Sequence, residues 1–228
     1  MNNIPITIVD DFLDRPYELQ KWALNLPFEY TGVYPGKKTE QLQDINPRLF
    51  RYLSEKILSI FIPLYHGPHK IDSTKFECSM CFNLIESNGT GWIHQDPNLF
   101  TTILYLDKNE DVNCGTNLYE LNSNEFFPIL SKEDDDLNEQ RFFHHKTGKI
   151  SKELELSKKE WENNKYKLSL SIPNKFNRLI GFSSEMFHAA NYFQNSNSSS
   201  RLTLLCFFNF INSEFSLPIP RSKSIRMI

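Results

Sequence analysis

The sequence predicts a mostly β fold with flanking helices, arranged as a double-stranded β-helix (jelly roll) in one domain. Two segments with helical spacing come first, and at least eight short strand-like runs follow them. Turn signals at residues 87–91, Pro97 and residues 107–110 separate several of those runs. The 228 residues are 39% hydrophobic and 14% aromatic, with 19 Phe, enough for one bulky core. Sandwiches and barrels often reach this length as single domains.

The elements follow in order. A strand is expected at residues 4–9, then a helix at 16–25 that Asp14 can cap and Pro16 can open. Tyr17, Trp22 and Leu24 give that helix an apolar component. Residues 27–46, rich in Gly, Pro and charge, read as loop. Leu49, Phe50, Leu53, Ile57 and Leu58 recur at helical spacing and predict a second helix over 47–60. From about residue 74 the pattern becomes β: 76–85, 92–96 (stopped by Pro97), 100–106 and 116–121. Residues 122–166 read as a surface insertion, acidic at 131–139 and strongly charged at 151–164, with a helix near 157–163. Strand character returns at 167–172, 178–182, 188–193 and 201–210, with a Ser/Asn loop at 194–200. The expected plan is therefore a single domain over 1–228. Its N-terminal strand and helices span 1–60, its core strands 74–121 and 167–210, its insertion 122–166, and a loosely attached basic tail 213–228.

Composition excludes some functions. A net charge of −3 argues against a protein that coats nucleic acid. No apolar run approaches the roughly 20 residues of a membrane span. The opening MNNIPITIVDDFLDRPYE has neither a basic n-region nor an apolar h-region, so no secretory signal is expected. Four cysteines are too few for a disulfide scaffold, and a reducing cytoplasm is the expected setting.

The chemistry concentrates around His94-Gln95-Asp96. On a strand, residues two apart point to one face, so His94 and Asp96 can share a ligand. His188 can complete the set from far along the chain. Two imidazoles and a carboxylate that leave other positions open suit non-haem Fe(II). Arg201 and Thr203 lie two apart at the start of the last long strand and share a face. A guanidinium forks onto a carboxylate, and a hydroxyl can donate beside it. Tyr105, on a neighbouring strand, can add its phenol.

Taken singly, each of these residues has a plainer explanation: two hydrogen-bonded core histidines and a surface arginine. That explanation does not account for their joint order. Cys78 and Cys81, three apart on a strand, face opposite sides and read as core cysteines rather than a zinc or redox pair. His66 and His69 read as exposed loop, and His144-His145 as polar insertion. Phe126-Phe127 and Phe142-Phe143 read as anchors of the insertion, and the charges at 152–165 as a solvated helix face.

In motif order the chain resembles the Fe(II)/2-oxoglutarate-dependent dioxygenases, most closely their prolyl-hydroxylase-like branch. Asn88-Gly89-Thr90-Gly91-Trp92-Ile93-His94-Gln95-Asp96 is similar to the family's Gly-rich turn and H-x-D. Thr101-Thr102-Ile103-Leu104-Tyr105-Leu106-Asp107 is similar to its Tyr-Leu-Asn/Asp strand, and Cys114-Gly115-Thr116 stands at its Gly-Gly turn. Phe187-His188 and Arg201-Leu202-Thr203 complete the set, and Val9-Asp10-Asp11-Phe12-Leu13 is also similar. The likeness covers roughly residues 76–120 and 176–210. Cys114 in place of the first glycine and the length of 122–166 depart from the pattern.

The resemblance implies Fe(II) on His94, Asp96 and His188, and 2-oxoglutarate held by Tyr105 and Arg201 with Thr203. It also places a further co-substrate contact near Asn83. It implies that O2 and 2-oxoglutarate react at the iron to give succinate, carbon dioxide and a hydroxylated C–H bond. Retention of Asp96 favours hydroxylation, since related halogenases lack that carboxylate. A peptidyl (for example prolyl) or small-molecule substrate is expected, with no nucleic acid or membrane partner. A zinc-dependent hydrolase using the same ligands and a non-catalytic jelly-roll binding module are the competing readings.

Overall fold

The structure, a computed structural model, describes residues 6–31, 36–61, 75–86, 89–107, 113–122, 151–193 and 200–212. The readings at His66 and His69, at the Phe and His pairs of 123–150, along 194–199 and in the tail lie outside the described residues.

Near the N-terminus come β1 (Ile6–Val9), α1 (Pro16–Ala23), β2 (Tyr30–Thr31), β3 (Lys37–Lys38), α2 (Leu42–Ile45) and α3 (Pro47–Phe61). Then come β4 (Lys75–Ile85), β5 (Phe100–Tyr105), β6 (Gly115–Leu121), α4 (Lys152–Lys165), β7 (Tyr166–Pro173), β8 (Leu179–Ser183), β9 (Phe187–Ala190) and β10 (Arg201–Asn212). Seven strands form the larger sheet in the order β1-β8-β5-β10-β4-β3-β2, and β7-β6-β9 form the smaller one. All these pairings are antiparallel. This is the jelly-roll core expected from the strand pattern.

Alternation along the three central strands sorts the larger sheet into two faces. Met80 and Phe82 of β4, Phe100 and Leu104 of β5, and Leu202, Leu204, Cys206 and Phe208 of β10 pack with Leu19, Ala23, Leu53, Ile57 and Leu58 of the helices. Phe100 and Phe208 stack at 4.4 Å, a contact worth about 0.5–1.5 kcal/mol beyond the area it buries. On the other face Ile103, Tyr105, Ile180 and Phe182 meet Leu118 and Ile172 of the smaller sheet. That second face carries the site.

Four local expectations change. The apolar side of α1 is Leu19 and Ala23, while Tyr17 and Leu24 stay exposed, because the helix ends at Ala23 and Leu24 falls at its C-cap. Asp14 is not its cap: Arg15 holds that position without a side-chain bond, and Asp14 pairs with Lys56 at 3.7 Å. The stretch read as loop over 27–46 contains β2, β3 and α2. Residues 92–96 form no strand; a single bridge, His94 to His188, replaces it. All four cysteines are free and buried, as core cysteines should be.

Candidate functional site

His94 and His188 exchange backbone hydrogen bonds, His94 N–H to His188 O at 3.0 Å and His188 N–H to His94 O at 2.9 Å. Asp96 N–H donates to Ser184 O at 3.0 Å, so the third residue is tied to the turn before β9. These backbone links do the work that a regular strand was expected to do. The ligand atoms of His94, Asp96 and His188 all lie within 4.8 Å of one another. Asp96 Oδ1 is 3.7 Å from His94 Nε2, and Oδ2 is 3.3 Å from His188 Nε2.

The donor chemistry fits a divalent ion. His94 Nδ1 faces Trp92 O and His188 Nδ1 faces Met186 O, both at 2.8 Å. A carbonyl only accepts, so each Nδ1 carries a hydrogen and each ring turns Nε2, the atom that can ligate a metal, toward Asp96. Thr101 Oγ1 donates to Asp96 Oδ2 at 2.8 Å and lies 2.8 Å from Ser184 Oγ. Burial pushes the Asp96 carboxyl up. The hydrogen bond and charge of His188, the charge of His94 and the Thr101 hydroxyl outweigh burial and hold it below its ordinary value. A carboxylate facing two imidazole Nε2 atoms is a set that can bind a divalent ion once the rings are neutral.

This cluster opens on a cavity of about 130 Å³ between the two sheets. Six of the seven residues singled out in the sequence line it: His94, Asp96, His188, Asn83, Arg201 and Thr203. Tyr105 lies one layer deeper, fully buried. Its hydroxyl is 2.6 Å from Thr116 Oγ1, which does line the cavity, and its ring lies 5.4 Å from the Arg201 guanidinium. Burial raises the Tyr105 phenol, so it stays a neutral hydrogen-bonding group.

Register explains the grouping. Lys38 lies opposite Asn83, Asn83 opposite Thr203, and Thr203 opposite Tyr105, a polar row across four neighbouring strands. Arg201 stands two residues from Thr203 on the same face. It is 3% exposed; Nη1 donates to Gly115 O at 3.1 Å, while Nε has no hydrogen-bond partner among the described residues. Gly115 is indispensable there: with φ at +153°, a Cβ would lie 2.0 Å from Ile172 O. Among the described residues no carboxylate pairs with Arg201. A guanidinium this deeply buried would stabilise an anion brought beside it.

Lys38 and Thr116 were not singled out in the sequence, and neither was the role of α4. The charges at 152–165 are not simply a solvated face. Lys158 is 5% exposed, with Nζ 2.5 Å from Thr90 Oγ1, 5.4 Å from the Trp92 ring centroid and 3.8 Å from Glu162 Oε2. Glu162 Oε1 accepts the Ile93 N–H at 3.2 Å. The helix thereby clamps the segment that presents His94. Glu162→Ala is expected to weaken metal binding about tenfold, toward the low end for loss of a group supporting a ligand, while Glu162→Gln, which keeps an acceptor oxygen, retains it. Co(II) titration of the two variants measures the difference.

The fold is shared with several solved structures. Similar structures include HygX from Streptomyces hygroscopicus with nickel and 2-oxoglutarate bound (8% identity, TM-score 0.57, 90% of this chain and 83% of that one). A prolyl hydroxylase from Trichoplax adhaerens, in complex with a hypoxia inducible factor oxygen degradation domain peptide fragment, is also similar (15%, 0.50, 90% and 83%). So is AviO1 from Streptomyces viridochromogenes Tue57 (11%, 0.50, 93% and 93%). No curated protein matches the chain. The chain belongs to a family of unknown function (DUF6445), whose model matches residues 1–208.

Proposed function

We propose that this protein is an Fe(II)- and 2-oxoglutarate-dependent dioxygenase that hydroxylates an unactivated C–H bond of a small-molecule or peptidyl substrate. The observation that carries the reading is the pairing of two elements in one cavity. One is a His94-Asp96-His188 cluster whose Nε2 atoms face the carboxylate; the other is a buried guanidinium that no carboxylate pairs with among the described residues. Ferrous iron bound to His94, Asp96 and His188 would supply oxygen activation coupled to decarboxylation of the co-substrate.

The protein's own groups then have defined tasks. Asp96 offsets part of the metal charge, and Thr101 fixes its rotamer. Arg201 and Thr203 receive the distal carboxylate of 2-oxoglutarate, and the Asn83 amide N–H2 donates to the same end. Tyr105 supports this end from below, holding Thr116 and facing the Arg201 guanidinium with its ring. Ile85, Trp92, Phe193, Leu205 and Phe207 make the remaining wall apolar and exclude water from the reacting face. Four buried free thiols suit a reducing compartment, which also keeps iron ferrous. A zinc hydrolase built on the same ligands would leave the buried Arg201 without a task.

Anaerobic addition of Fe(II) and then 2-oxoglutarate tests the reading. The expected result is a weak visible charge-transfer band that is missing in His94→Ala, followed by succinate release when oxygen enters. A folded protein that binds Fe(II) but gives neither band nor succinate would be a binding module or a hydrolase instead.

A further inference from the structure

The turn between β8 and β9 carries the chain from the larger sheet to the smaller one, and Met186 N–H closes it on Ser183 O at 3.0 Å. Its carbonyls reach all three residues of the H-x-D segment or their partner. Met186 O faces His188 Nδ1 at 2.8 Å, Glu185 O accepts from the Gln95 side-chain amide, and Ser184 O accepts the Asp96 N–H at 3.0 Å. Ser184 also holds the far side of that loop, where its own N–H donates to Leu99 O at 3.4 Å.

Asp96 needs such anchoring. It lies outside any strand, and Pro97 after it has no N–H to give. Its side chain is held by hydroxyls instead: Thr101 Oγ1 is 2.8 Å from Asp96 Oδ2 and 2.8 Å from Ser184 Oγ. Counting hydrogens gives these contacts a direction. An ionised carboxylate only accepts, so the single Thr101 hydrogen goes to Asp96. Thr101 then offers Ser184 nothing but lone pairs, and the Ser184 hydroxyl donates to Thr101. Two O–H bonds in series thus point at the carboxylate, and each polarises the other. Ser184 is fully buried and Thr101 is 2% exposed, so both hydroxyls are shielded from competing water.

Resting on the function proposed above, the geometry points to Ser184 as a positioning residue of the metal centre, acting on Asp96 through Thr101. The Ser184 hydroxyl aims the Thr101 hydroxyl, the Thr101 hydrogen holds Oδ2, and the carboxylate stays turned toward the Nε2 atoms of His94 and His188. The same turn orients the His188 ring through Met186 O. Two of the three ligands therefore take their orientation from residues 184–186.

Co(II) affinity, read from the visible absorption of the protein without 2-oxoglutarate, tests this chain of bonds, with circular dichroism to check folding. Thr101→Val keeps the side-chain shape and suits a strand, and it is expected to weaken Co(II) binding about ten- to a hundredfold. Thr101→Ser should recover most of that. Ser184→Ala should cost about two- to tenfold in the wild-type protein. Beside Thr101→Val it should cost nothing further, because the hydroxyl it removes has already lost its acceptor. Thr101→Ala serves if the Val variant does not fold, and Ser184→Cys, a weak donor, serves in place of Ser184→Ala. Equal losses from Ser184→Ala in the two backgrounds would overturn the inference, as would wild-type Co(II) affinity in Ser184→Ala. So would a Thr101→Val variant that keeps Co(II) but loses 2-oxoglutarate, since Thr101 lines the cavity and would then serve the co-substrate. Failure of the wild-type protein to bind Co(II) would strike the metal centre and the oxygenase reading with it, a different result.

Discussion

Asp96→Ala is expected to abolish 2-oxoglutarate turnover while leaving the protein folded. Asp96 is the one carboxylate of the cluster, and its two oxygens face the Nε2 atoms of both histidines at 3.7 and 3.3 Å. Without it, a divalent ion would meet two neutral imidazoles and no compensating charge. Loss of a group that merely supports a ligand costs about ten- to a hundredfold in metal affinity, and loss of the ligand itself should exceed that. The fold should survive, because Thr101 keeps its contact with Ser184 and the backbone bond from residue 96 to Ser184 needs no side chain. Succinate formation and Fe(II) titration, beside a circular dichroism spectrum, measure the three parts. A variant that still releases succinate at the wild-type rate would remove Asp96 from the centre.

Arg201→Ala should act differently, raising the 2-oxoglutarate requirement with metal binding largely kept. A charge-assisted contact is worth about 1.5–3 kcal/mol, so affinity should fall by roughly ten- to a hundredfold. Arg201→Lys should not restore it, because an ammonium lacks the planar fork and cannot also hold Gly115 O in the same geometry. Titration of the charge-transfer band with 2-oxoglutarate reads this directly. Unchanged co-substrate affinity in Arg201→Ala would assign the guanidinium to another anion.

Much of this site was legible because it rests on period-two alternation along long strands. β4, β5 and β10 carry enough residues for their faces to be read, and with them the shared face of Asn83, Tyr105, Arg201 and Thr203. The H-x-D spacing pointed to two residues that the fold brings beside His188, although 92–96 is not a strand. A single backbone bridge gives the same convergence without a ladder. Lys38 was not legible, since a two-residue strand shows no period and its register appears only once β4 is beside it. Glu162 and Lys158 were hidden for a related reason. The helix is mostly charged, with only Leu154, Leu156 and Trp161 apolar, and nothing in its spacing reveals that Lys158 is buried against Thr90 and Trp92 with Glu162 beside it. Asp14 misled because a good capping residue needs the helix to begin one position earlier than it does.

The mutual backbone bonds between residues 94 and 188 have a consequence for how a metal bound there and the fold would depend on each other. In small zinc domains the ion fastens the chain, and removing it unfolds the protein. Here backbone bonds join those two distant segments, so an ion is not their sole link and need not by itself offset the entropy of closing the long loop between them. An ion bound there would be a late tenant of a frame the backbone already ties, and its affinity would report donor chemistry more than folding.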